Sequence, residues 1–257
     1  MAKQDIHITV DDGAVLLTLD RPPANALDLG FAERLDDALA GLAEDESLRS
    51  LTITGTGGMF CAGLDLKVVP GYDAAEQAAL IMAINRMYGR LYGFPVPTVA
   101  AVNGHAIAGG LILALACDGR VAVDANCLVG LTEVRVGVPF PVAPREIVRA
   151  ELSPQAARRM ILTGRNLDSG AAVALGILDE TCARERLAAR GAEIAADMAS
   201  APRASFTKLK RQLREKALAR IAEAVERRAE PMLAPWLDES NAQSARAILD
   251  EAGTAQP

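Results

Sequence analysis

Histidine is nearly missing: His7 and His105 are the only two in 257 residues. That inventory leaves little material for a His-rich metal site or a Ser/His/Asp triad, and no metal is expected. The four cysteines, Cys61, Cys117, Cys127 and Cys182, are too few and too scattered for a disulfide scaffold, and none pair as CxxC. They are expected as buried small apolar side chains. No apolar run reaches the roughly 18–20 residues that a membrane span needs. The opening residues MAKQDIHITVDDGAVLLTLD read as strands instead of a signal peptide, so the expected location is the cytoplasm. A basic excess is also lacking. With 27 Lys and Arg against 33 Asp and Glu the net charge is −6, which argues against a nucleic-acid surface. GTGGMFCAG is not a GxGxxG loop and no P-loop lysine follows it, so a phosphate-cradling nucleotide site is not expected.

What is present suits a packed globular protein. The residues are 51% apolar and 23% charged, and the length allows one α/β core with a tail. IHITV, the turn DDG and AVLLTLD read as a hairpin. ALDLGFAERLDDALAGLAED has helical spacing and runs into the buried strand SLRSLTITG. The helical AAEQAALIMAINRMYGRLYGF, the strand PVPTVAAVNG, a helix from Gly109 and the strand GRVAVDANCLVGL follow. Ser153 is placed to cap a helix whose first residue is Pro154. DSGAAVALGI reads as a short helix leading into LDETC. From about Arg184 the pattern is helical only, through FTKLKRQLREKALARIAEAVERRAEPMLAPW and ESNAQSARAILDEAG. There Leu213, Leu218, Ile221 and Val225 suggest an amphipathic helix with a solvated basic face. This alternation fits a spiral of stacked turns as well as a doubly wound sheet.

Two glycine-rich loops each follow a strand and precede a helix. They are either tight turns or a place where one backbone N–H from each converges on a developing oxyanion. Three blocks narrow the choice: FCAGLDL at 60–66, PTVAAVNGHAIAGG at 97–110 and LVGLTEVRVGV at 128–138. In order and separation they resemble the signature blocks of the crotonase superfamily, the enoyl-CoA hydratase/isomerase family. The resemblance implies an α/β spiral of ββα turns over residues 1–190, with an acyl-CoA site. It also implies a helical trimerisation region over 191–257, with trimers or paired hexamers. The substrates would be acyl-CoA thioesters, with coenzyme A part of the substrate and no separate cofactor.

By the same resemblance, the Leu64 and Gly109 amides would grip the thioester oxygen, and Cys61, Ala62, Gly63 and Asp65 would line the substrate. Hydratases of the family carry two glutamates. The first position falls here on Ile112, which transfers no proton, and the second on Glu133. Water addition across a 2-enoyl thioester uses two acid/base groups, whereas moving a double bond from the 3 to the 2 position needs one base that takes a C2 proton and returns one to C4. Apolar neighbours such as Ile112, Leu111 and Val134 would raise the Glu133 pKa toward a working value. RPPANALDLGF, FCAGLDL and GLTEVRVGVPFP resemble the mitochondrial-type 3,2-enoyl-CoA isomerases more than the hydratases, with Thr132 in place of the isomerases' asparagine. The expected activity is therefore enoyl-CoA isomerisation, with Glu133 as proton shuttle. Hydration, another one-base reaction, or acyl-CoA binding without turnover are the alternatives. Asp118 is expected to brace a turn, His105 to be structural, and Lys67, Arg86 and Arg90 to be solvated charges or contacts to CoA phosphates.

Overall fold

The computed structural model describes residues 5–228 and Glu230. The expected hairpin forms from β1 (Ile6–Asp11) and β2 (Ala14–Leu19), antiparallel around Asp12 and Gly13, both at positive φ as a tight Asp-Gly turn requires. Asp28 caps α1 (Leu29–Glu44) by accepting from the Phe31 N–H, and Phe31, Ala32, Leu35 and Leu39 form its buried stripe. Burying a side chain the size of Phe31 contributes about 1.5–3 kcal/mol.

The next three passes repeat one unit. β3 (Ser50–Gly55) and β4 (Met59–Cys61) precede α2 (Ala74–Tyr92), which opens on a reciprocal cap between Asp73 and Glu76. β5 (Thr98–Val102) and β6 (His105–Ile107) precede α3 (Gly109–Leu115). β7 (Gly119–Val123) and β8 (Leu128–Gly130) precede the single-turn α4 (Glu133–Val136). In each pass the first strand joins a six-stranded sheet that runs β1-β2-β3-β5-β7 and ends on the later β10 (Glu180–Cys182), and the second joins a four-stranded sheet that runs β4-β6-β8 and ends on β9 (Leu167–Asp168). The chain thus spirals through stacked ββα turns, as the resemblance implied.

α5 (Val142–Glu151) and α6 (Pro154–Thr163) follow, then β9 (Leu167–Asp168), α7 (Ser169–Ala174), β10 (Glu180–Cys182), α8 (Leu187–Met198) and α9 (Arg203–Arg227). Ser153 caps α6 as expected, accepting from the Ala156 N–H. GRVAVDANCLVGL, read as one strand, is two strands in different sheets, divided by the exposed residues 124–126. The boundary expected at residue 190 falls inside α8. That helix lies on β3, β5 and β7, with Gly191 against Thr52 and Ala101, so it packs as part of the core. ESNAQSARAILDEAG lies outside the described residues.

α9 departs from its sequence reading in a specific way. Leu213 points outward, 85% exposed, and the inward stripe is Lys210, Arg214, Ala217, Ile221 and Ala224. Two cations head the buried face because Asp118, at the end of the α3 turn, is there to meet them. Lys210 Nζ donates to its Oδ2 at 2.7 Å and Arg214 pairs with its Oδ1 at 3.0 Å. Asp118 also accepts from the Thr98 N–H at 2.8 Å, so the brace expected of it is observed and extended.

Candidate active site

The four-stranded sheet explains how three distant sequence blocks meet. β4, β6 and β8 are adjacent and parallel, with Cys61 opposite Ala106 and Ile107 opposite Gly130. Leu64, Gly109 and Glu133 each lie two or three residues past a strand's carboxyl end, so all three emerge at one edge. Sequence spacing alone carries no such information.

Two backbone amides are left over at this edge. The Leu27 N–H donates to Gly63 O at 2.7 Å and the Asp65 N–H to Leu27 O at 2.8 Å, a short parallel bridge that skips the Leu64 N–H. Ala108 sits at φ +51°, ψ −122°, a strained conformation for a residue with a side chain, and donates its own N–H to Gly130 O. This turn leaves the Gly109 N–H outside the ladder. Neither the Leu64 nor the Gly109 N–H has an acceptor among the described residues. The two backbones touch: at Gly63, whose φ is +77°, a Cβ would stand 2.8 Å from Gly109 N. Gly109 itself makes room for Tyr88, since a Cβ there would meet Tyr88 Oη at 2.9 Å.

Beside them lies a cavity of about 320 Å³. Leu64, Gly109, Ile112, Thr132 and Glu133 line it, along with Ala62, Tyr88, Val136, Val138 and Phe140. Glu133 is the one carboxylate among the described lining residues. Its Oε2 is sealed from solvent and has no hydrogen-bond partner among the described residues. Burial pushes the carboxyl up from an ordinary 4.5 to about 7. The apolar wall responsible is not entirely the expected one. Ile112 lines the cavity, but Val134 is 52% exposed and Leu111 is buried in the core, while Val136, Val138 and Phe140 take their places.

Three residues expected against the substrate stand outside the lining. Cys61 is fully buried beneath the loop, its Sγ accepting from the Gly63 N–H at 3.4 Å. Gly63 turns the chain. Asp65 accepts from Arg21 at 3.2 Å and so braces the loop carrying Leu64. His105 is structural, its Nδ1 accepting from the Leu128 N–H at 3.0 Å. Arg86 and Arg90 are committed to Asp36 at 3.5 and 2.6 Å. Tyr88 was missed in the sequence. Its signal was present: in AINRMYGRLYGF it continues the buried stripe of Leu80, Ile84 and Leu91, and a tyrosine on such a stripe must find a partner for its hydroxyl.

Residues 9–247 match the profile of the family described as enoyl-CoA hydratase/isomerase. The chain belongs to that family. A mitochondrial protein of Bos taurus, enoyl-CoA hydratase domain-containing protein 2, is 37% identical over 177 residues, which is 68% of this chain and 59% of the relative. The human enoyl-CoA delta isomerase 1, mitochondrial, is 31% identical over 177 residues, again 68% of this chain and 59% of the relative. The aligned stretch thus spans about three fifths of these curated relatives. The crystal structure of human mitochondrial delta3-delta2-enoyl-CoA isomerase superposes with a TM-score of 0.92 at 25% identity, covering 99% of this chain and all of that one. The fold is that of the crotonase superfamily, and relatives bear both isomerase and hydratase names.

Proposed function

We propose that this family member is a 3,2-enoyl-CoA isomerase acting on an acyl-CoA thioester, with coenzyme A entering as part of the substrate and no separate cofactor. One observation carries the reading: among its described lining residues the cavity pairs a single buried carboxylate, Glu133, with an aliphatic Ile112. The thioester oxygen accepts from the Leu64 and Gly109 N–H groups. Glu133, ionised, removes a proton from C2, and the electron pair passes into a dienolate whose oxygen carries the charge against the two amides. The protonated Glu133 then returns that proton to C4, and the double bond closes between C2 and C3. Nothing is gained or lost overall. Each step asks something different of the carboxyl, first to accept and then to donate, and a pKa of about 7 serves both. In other enzymes one donor of an oxyanion hole contributes on the order of 10²–10³ in rate.

A homotrimer or a pair of trimers and a cytoplasmic location complete the proposal. Among the described residues no helix is long and apolar enough to cross a membrane. Hydration is the second reading, favoured by Thr132, a cavity-lining residue next to Glu133 whose side chain carries a hydroxyl able to hold a water. Purified protein offered a 3-enoyl-CoA should gain the ultraviolet absorbance of the conjugated thioester rapidly, and lose little from a 2-enoyl-CoA. The reverse result would make it a hydratase, and silence from both would end the isomerase reading.

A further inference from the structure

Tyr88 is a buried polar group at the cavity that the proton transfers leave unused. Its hydroxyl donates to Gly109 O at 2.7 Å, and its ring helps to line the acyl cavity. Two facts make this more than packing. Gly109 lacks the Cβ that would stand 2.9 Å from Tyr88 Oη, so glycine lets the hydroxyl reach the backbone here without either residue shifting. The strained Ala108 immediately before Gly109 is fixed through its own backbone, its N–H on Gly130 O and its carbonyl on the Leu111 and Ile112 N–H groups, and the Tyr88 hydroxyl extends that hold to Gly109 itself. In the first turn of α3 the Gly109 N–H and C=O point in opposite senses along the helix axis, so a bond to the carbonyl leaves the amide free for the substrate.

We infer that Tyr88 is a positioning residue for the oxyanion hole: its hydroxyl clamps Gly109 so that the amide at the head of α3 stays aimed beside Leu64. The inference deepens the proposed function and rests on its assignment of the Gly109 amide. It does not require that the reaction be isomerisation. An amide held in advance interacts more strongly with the charged enolate than with the neutral thioester, so the loss of the clamp falls on kcat and leaves KM nearly alone.

The experiment uses the full chain with Tyr88→Phe, an exchange that keeps the ring. Turnover is read with a 3-enoyl-CoA, and binding with acetoacetyl-CoA, whose enolate bears the same oxyanion and absorbs in the ultraviolet. The expected result is a fall in kcat of about tenfold, the size of one hydrogen bond, with KM within about twofold and a matching weakening of enolate uptake. A second variant, Gly109→Ala, places a methyl against the hydroxyl. In that background Tyr88→Phe should cost less than it does alone, because the 2.9 Å contact is relieved. Wild-type kcat and enolate uptake in Tyr88→Phe, or additive losses in the double variant, would overturn the clamp. If the unaltered protein takes up the enolate but does not isomerise, the proposed reaction falls and the clamp is still read on enolate uptake.

Discussion

At the scale of the residue, Glu133 ties the site's chemistry to stability. Its carboxyl titrates near 7 in the fold and near 4.5 when exposed, because burial penalises the charge. The folded chain therefore holds a proton between those values that the unfolded chain gives up, so this group's contribution to stability falls as pH rises through the window. Glu133→Gln should be more stable than the unaltered protein at pH 8, by about 1–3 kcal/mol, with the gap closing at pH 4. Thermal unfolding at the two pH values checks it. Activity runs the opposite way: kcat/KM should rise through an apparent pKa near 7, and the same variant should lose 10²–10⁴-fold. Gly63 carries a second prediction. With φ at +77° and Gly109 N 2.8 Å from any added Cβ, Gly63→Ala should cost about 1 kcal/mol or more in urea unfolding and lower kcat at least tenfold.

At the scale of the element, the sequence was informative wherever a pattern ran long enough. The Asp-Gly hairpin, the stripe of α1 and the Ser153-Pro154 start of α6 were all legible. β4, β6 and β8 were not, because three residues carry no periodicity, yet those strands bring the site together. Leu64, Gly109, Ile112 and Glu133 were legible only through the signature blocks. The roles of Asp65 and Tyr88 depend on partners 44 and 21 residues away along the chain. α9 shows the same limit: charges read as solvated are buried because their partner lies in another element. Burial pushes the Lys210 amine below its ordinary range, and Asp118 opposes the shift. Asp118→Asn leaves two buried cations with less to face, and should cost about 3–5 kcal/mol. A fall in the urea midpoint with faster hydrogen exchange along α9 is the expected result; an unchanged midpoint would remove the ionic anchor from the account.

At the scale of the whole molecule, α9 presents Leu209 and Leu213 outward, 65% and 85% exposed and one turn apart. A monomer would leave both in water, whereas a trimer joined through this region could cover them. Light scattering at micromolar concentration should give three or six chains, and a single-chain mass would end the proposed assembly. The decisive measurement, however, concerns the Glu133 carboxylate. A 3-enoyl-CoA deuterated at C2 should give early product carrying part of the label at C4, because one sealed carboxyl, its Oε2 closed to solvent, takes the proton and returns it. Product made in ordinary water with no deuterium at C4 from the first turnovers would contradict a sealed carboxyl that carries the same proton from C2 to C4.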